Sequence, residues 1–253
     1  MEHHHVSVQE IIRELDHLLA MDRKEAAAEF LDSWRDRFEK EGNWGPEITI
    51  LNEQMGFYRN AGNEEKGMEA VRRSLTLLRE HRLADTVSGA TTYLNAATNM
   101  KAFGRTEESI PYYKEAARVY QENLSPGDYR FGGLYHNMAL ALAELGKTDE
   151  AEFYYEKALS IMQALRPGSI MEMAVTYLDM ALLREEMGKA EEADELVQKA
   201  MECFHDPEVP HDSYYAFIGR KCAGTFDYFG YFRMKKEILE EAEEIYREND
   251  RRG

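Results

Sequence analysis

The chain is poor in cysteine: Cys203 and Cys222 are the only two in 253 residues. They form no Cys-x-x-Cys pair and offer no disulfide framework, so a reducing, cytoplasmic compartment is expected. Proline is scarce, at six, and no Gly/Ser/Pro-rich stretch separates two blocks, which argues against an interdomain linker. No apolar run nears the roughly 20 residues that cross a bilayer, so no membrane partner is expected. The opening Met1-Glu2-His3-His4-His5 lacks the apolar stretch of a secretory signal and reads as a tag remnant or solvated tail. Positive charge is also in deficit. Lys and Arg number 31 against 48 Asp and Glu, a formal net charge of −17. Nucleic-acid binders show the opposite, a basic stripe that releases counterions from phosphates, so no nucleic-acid partner is expected. The acidity reads first as a solubility device and second as attraction for a basic ligand.

What is present is a repeat. Hydrophobic residues make up 43% of the chain and charged residues 31%, enough apolar content to bury a core. Gly62, Gly104, Gly146, Gly188 and Gly230 stand on one unbroken period of 42 residues. Other positions keep step with them. Ala97, Ala139, Ala181 and Ala223 lie seven residues before the last four glycines, with Met55 in the first unit. Val71, Tyr113, Tyr155, Val197 and Leu239 lie nine after, and Ser74, Ala116, Ala158, Ala200 and Ala242 lie twelve after. Small residues at fixed places let two helices approach closely, and the large one between them fills the groove that results.

Each unit reads as two helices. Before Gly146, apolar residues recur at three and four (Tyr135, Met138, Ala139, Leu142), and after it Ala151, Tyr154, Tyr155, Ala158, Leu159 and Met162 do the same. The glycine suits a left-handed helix C-terminus, and the acids that follow suit a helix N-terminus. Period-two strand signals are absent. Turn-like segments at 124–128, 166–169 and 206–210 separate the units. A degenerate unit precedes them, with Ala20 where the period asks for glycine; terminal units of a stack are expected to be atypical. The expected layout is a disordered tail at 1–5, one solenoid domain at 6–249 and a frayed tail at 250–253. Within the domain, 6–41 is a capping repeat and 46–249 holds five 42-residue repeats.

Ala139, Gly146, Ala151, Tyr155 and Ala158-Leu159 fit the tetratricopeptide signature, in which a small residue precedes the turn glycine and Ala-x-x-x-aromatic follows it. The 42-residue period resembles the longer tetratricopeptide repeats of kinesin light chains, which carry Asn-Leu-Ala before the turn. The chain has Asn95-Ala96-Ala97, Asn137-Met138-Ala139 and Asp179-Met180-Ala181 there. The resemblance implies an all-α, right-handed superhelical solenoid of about six helix-turn-helix repeats. It also implies a concave groove, lined by the first helix of each pair, that holds a protein or peptide segment without catalysis.

The same resemblance places the residue nine before each glycine in that groove: Glu53, Asn95, Asn137, Asp179 and Lys221. An amide can satisfy a peptide's N–H and C=O together. The competing role for Asn95 and Asn137 is a hydrogen bond between helices that fixes the stack. Flanking candidates are Asn52, Arg59, Thr98, Lys101, His136, Glu185, Arg220 and Asp227, each weighed against a solvated helix face. His136 has no second His or Cys three or four residues away, so no metal site and no cofactor are expected. Near the C-terminus, Phe229, Tyr231, Phe232, Ile238 and Tyr246 form a candidate surface for a second copy or another protein, or else complete the last repeat's own core.

Enzyme motifs do not assemble. Gly146-Lys147-Thr148 imitates the end of a P-loop, but Ala141 occupies the place of its first glycine and the segment is helical. Adjacent acids such as Glu185-Glu186 point in different directions on a helix. Both cysteines fall in helical units and read as packing residues. The expectation is therefore a non-catalytic scaffold or adaptor. The alternatives are a bacterial peptide-responsive sensor acting through a separate output protein, and a module that self-associates through its aromatic end.

Overall fold

The computed structural model describes residues 6–252, and among these it holds twelve α-helices and no strand. They run α1 (Val8–Ala20), α2 (Lys24–Glu41), α3 (Trp44–Asn60), α4 (Glu64–Glu80), α5 (Val87–Ala102) and α6 (Thr106–Asn123), then α7 (Arg130–Glu144), α8 (Thr148–Ala164), α9 (Ile170–Glu186), α10 (Ala190–Phe204), α11 (Ser213–Tyr228) and α12 (Phe232–Arg252). The six expected helix pairs are thus all present. The expected tail at 1–5 lies outside the described residues. The helix α12 continues to Arg252, past the 249 at which the sequence pattern ends the array.

The chain falls into two compact units, one ending at Leu124 and the other beginning at Ser125. In the first, α3 packs on α4 and α5 on α6, while α2, α3, α4 and α5 meet their neighbours in chain order and α3 also touches α5. In the second, α7 packs on α8, α9 on α10 and α11 on α12, and α9 touches both α7 and α11. Thus α3 lies beside α5 in the first unit, and α7, α9 and α11 lie side by side in the second, one repeat against the next.

The turn glycines show why the period is kept. Gly146 has φ +70°, a left-handed conformation that a side chain strains. That geometry lets the Lys147 N–H reach back to the Leu142 carbonyl at 2.9 Å, closing the α7 end. The same bond recurs from Asn63 to Tyr58, Arg105 to Met100, Lys189 to Arg184 and Tyr231 to Phe226. In the first hairpin the left-handed residue is Asp22, φ +53°, with Arg23 N–H on the Leu18 carbonyl. The missing glycine at 20 is explained: that turn sits two residues later, and aspartate tolerates the conformation.

The core lies along the period. Ala97, Ala139 and Ala181 are fully buried, as are Ser74, Ala116, Ala158, Ala200 and Ala242. Val71, Tyr113 and Val197 fill the grooves between them at 0% exposure. Helix starts carry side-chain caps where the loops allow. Ser7 and Glu10 form a capping box on α1, Asn63 caps α4, Thr86 caps α5, and Asp212 caps α11 through two N–H groups.

Candidate functional site

The groove candidates sit on the odd-numbered helices, most of them half-buried, and much of their chemistry turns out to join one repeat to the next. In the first unit, the Asn52 amide donates to the Ile48 carbonyl and to Thr92 Oγ1, both at 3.0 Å. Asn95 donates its amide to Asn52 Oδ1 at 2.9 Å. In the second unit, His136 Nδ1 lies 3.0 Å from Thr176 Oγ1, and Nε2 lies 3.4 Å from Asp179 Oδ2. These are the same positions in the repeat: a residue ten before one glycine meets residues twelve and nine before the next. Asn95 thus makes the helix-to-helix bond weighed for it. Asn137, by contrast, donates to the Gly133 carbonyl of its own helix at 2.9 Å. The signal that could have exposed this clamp was the threonine twelve before the glycine, which appears as Thr92 and Thr176 only.

The remaining candidates divide by how well folding satisfies them. Thr98 Oγ1 donates to the Leu94 carbonyl and accepts from the Tyr113 hydroxyl at 3.3 Å. Lys101 is half-buried in the last turn of α5. Arg59 is half-buried, and burial holds its guanidinium below the usual value, with the nearby Tyr113 opposing. The other seven half-buried arginines among the described residues each hold a carboxylate, as Arg73 holds Glu47. Arg59 holds none. Burial raises the Glu53 carboxyl, aided by Asp16. Arg220 stacks on the Tyr246 ring, 4.7 Å from its centroid. Asp227 pairs with Lys235 at 2.9 Å, Glu185 is half-buried, and Lys221 is exposed.

The C-terminal candidates need correction. Ile238 is fully buried and packs beside Gly219 of α11, so it belongs to the core of the last hairpin. Tyr231 is half-buried and donates its hydroxyl to Asp194 at 2.6 Å. Phe229 is half-buried and sits edge-on to Tyr228, and Tyr246 is half-buried beneath Arg220. Of the five, Phe232 alone is exposed, at 65%. Sequence reasoning missed two other aromatics, Tyr214 and Phe217. Tyr214, Phe217 and Tyr228 are exposed on α11, at 46%, 58% and 65%. With Lys221 between them they form one stripe at helical spacing. The Tyr214 hydroxyl donates to Glu172 of α9 at 2.8 Å, while the other oxygen of that carboxylate is buried without a partner.

No three His, Cys, Asp or Glu side chains cluster at metal-binding distance among the described residues. Burial pushes the Cys203 thiol up to about 11 and the Cys222 thiol up to about 12, so neither is a ready nucleophile. No helix among the described residues is long and apolar enough to cross a membrane.

Residues 131–206 match the sequence model of the tetratricopeptide repeat. The structure is similar to BtubC (BKLC) from P. vanneervenii, at 21% identity and a TM-score of 0.60, over 81% of this chain and 90% of that one. It is also similar to a putative kinesin light chain with nearly identical TPR-like repeats from Podosopora anserina, at 15% identity and a TM-score of 0.57, over 81% and 97%. The fold is that of tetratricopeptide repeats. A third similar structure is aspartyl phosphate phosphatase F from Bacillus subtilis, at 13% identity and a TM-score of 0.63, over 94% of this chain and 59% of that one. No curated protein matches the chain. The 42-residue tetratricopeptide period and its kinesin-light-chain likeness are thus seen in sequence and in structure alike.

Proposed function

We propose that the chain is a non-catalytic scaffold or adaptor that binds a protein or peptide segment on the exposed faces of its odd-numbered helices. Tetratricopeptide repeats are typical of protein-interaction scaffolds. The observation that carries the proposal is the α11 stripe: Tyr214, Phe217 and Tyr228 stay exposed on a helix whose opposite side is fully packed. Aromatic side chains held out on a rigid helix offer apolar contact area at little ordering cost. In the first unit, Arg59 of α3 is a half-buried cation that holds no carboxylate among the described residues, which suits it to an acidic group of a ligand.

A peptide array probed with the full chain tests this. Phe217→Ala is expected to weaken binding of any captured peptide about tenfold or more while leaving helicity unchanged. Failure of every peptide and every pulled-down protein segment to bind would remove the proposal, as would turnover of a small substrate. A second reading, self-association, is favoured by Tyr228 at the end of α11 and Phe232 at the start of α12, each 65% exposed. Light scattering of the wild type and of Phe232→Asp decides it: equal monomer masses for the two eliminate self-association.

A further inference from the structure

The joints that follow α2 and α4 close in the same way and differ in one residue. After α2 the Asn43 N–H reaches back to the Phe38 carbonyl at 2.9 Å, and after α4 the Leu83 N–H reaches back to the Leu78 carbonyl at 2.9 Å. Each closure needs one left-handed residue. The first uses Gly42, at φ +64°, and the second uses Arg82, at φ +56°. Glycine takes that conformation freely, whereas an arginine strains against its own Cβ. The turn therefore does not call for an arginine. Nor does the fold gain a partner from it: Arg82 is exposed and holds no carboxylate among the described residues. Attraction to the helix dipole explains a cation in the last turn of α4, and Arg79 already fills that place. Arg82 lies beyond the cap. A residue that strains the backbone with no return inside the fold points to a role outside it.

The surroundings of Arg82 agree. Next to it in the chain, the His81 ring stacks on Trp44 of α3, with centroids 4.5 Å and planes 19° apart. Trp44 is 39% exposed, a large apolar ring held at the surface. Arg79 is exposed, as is Arg72 two turns earlier on the same face of α4, and neither holds a carboxylate among the described residues. The acids nearby are engaged elsewhere. Glu39 and Glu47 meet Arg73, at 3.5 Å and 2.5 Å, and Glu80 adds its charge to the same guanidinium. Asp85 meets Arg118. We infer that the end of α4, with Trp44, is a docking surface for an acidic segment of a partner protein, the partner's carboxylates lying on Arg79 and Arg82 and its apolar atoms against the Trp44 ring. Charge complementarity decides the class of occupant. A few cations at one joint of a chain with a formal charge of −17 suit a short protein segment. A nucleic acid or an anionic membrane calls for a longer basic stripe or face. The surface belongs to the first unit and does not rest on the α11 reading above.

Anisotropy of a dye-labelled, capped hexaglutamate peptide titrated with the full chain tests this. Binding is expected at low salt and is expected to fade as salt rises from about 0.05 M to about 0.5 M, because exposed charges carry it. The net charge of the chain repels such a peptide from most of its surface, so binding needs a local cationic site. Arg82→Gly separates recognition from folding. It is expected to melt no lower than the wild type and yet to bind hexaglutamate severalfold more weakly. Arg79→Glu combined with Arg82→Gly is expected to abolish binding, and Phe217→Ala on α11 to leave it unchanged. Absence of wild-type binding at low salt overturns the proposal, and so does equal affinity for wild type and Arg82→Gly. A lower melting temperature for Arg82→Gly also overturns it, by making the arginine a working part of the turn. Loss of hexaglutamate binding in Phe217→Ala overturns the assignment to α4. Phosphatidylserine vesicles supply the rival anion: binding to vesicles with none to the peptide overturns the protein partner in favour of a membrane surface.

Discussion

Glu47 is 1% exposed on α3, and both of its oxygens meet Arg73 of α4, at 2.5 Å to Nε and 3.1 Å to Nη2. A fork on a carboxylate is the strong form of such a pair, but burial makes it conditional on both partners. Arg73→Ala is expected to destabilise the fold by about 3 kcal/mol, because it leaves a buried carboxylate without its cation. Glu47→Leu combined with Arg73→Met is expected to recover most of that loss. Urea denaturation measures both, and equal costs for the single and double variants would refute the argument. Smaller effects belong to the neutral clamp. Asn95→Ala removes one half-buried amide bond and is expected to cost about 1 kcal/mol, with the wild-type helix content retained. Glu47 was not legible in sequence, where it reads as an ordinary first-turn acid. The Asn95 clamp was half legible: the frame put Asn95 and Asn52 on one face, but nothing in spacing alone said that they would meet each other.

At the scale of the helix, the hairpin turn was legible and the joint between hairpins was not. The turn repeats because one left-handed residue and one back-reaching N–H close every hairpin, so a period of glycines displays it directly. The joints have no common device. One uses Gly42 at φ +64°, the next uses Arg82 at φ +56°, and the later ones are longer turns without such a residue. Arg82 holds the left-handed conformation against its own Cβ. Arg82→Gly is therefore expected to stabilise the protein by up to about 1 kcal/mol, and Gly146→Ala to destabilise it by about 1 kcal/mol. Thermal melts of the two variants should move in opposite directions. Movement in the same direction would mean that backbone strain is not what these turns select. The α11 stripe was missed for a related reason: Tyr214 and Phe217 look like core residues in sequence, and only the placement of α11 beside α9 shows that they have no core to enter.

Across the whole molecule the tyrosines bind stability to pH. There are 15 in the chain, and several are buried or set against acids. Burial, then the hydrogen bond and charge of Asp32, push the Tyr58 phenol up to about 12, with Lys66 opposing. Tyr155, Tyr214 and Tyr215 are raised further, by burial first and then by Asp179, Glu172 and Glu241 respectively. A phenol whose folded value exceeds its unfolded value of 10.0 favours the folded state in its protonated form. That contribution is complete below pH 10 and is lost as pH rises from 10 toward 12, when the unfolded chain gives up protons that the folded chain retains. The formal charge of −17 works in the same direction, since each tyrosinate adds to an excess of negative charge. Ultraviolet absorbance should therefore show a first ionisation with helicity intact. A second, steeper ionisation should follow, coincident with loss of the helical circular-dichroism signal. If all the tyrosines ionise in one shallow curve near 10 while the helices persist, the buried phenols are not held by the packing that joins these repeats.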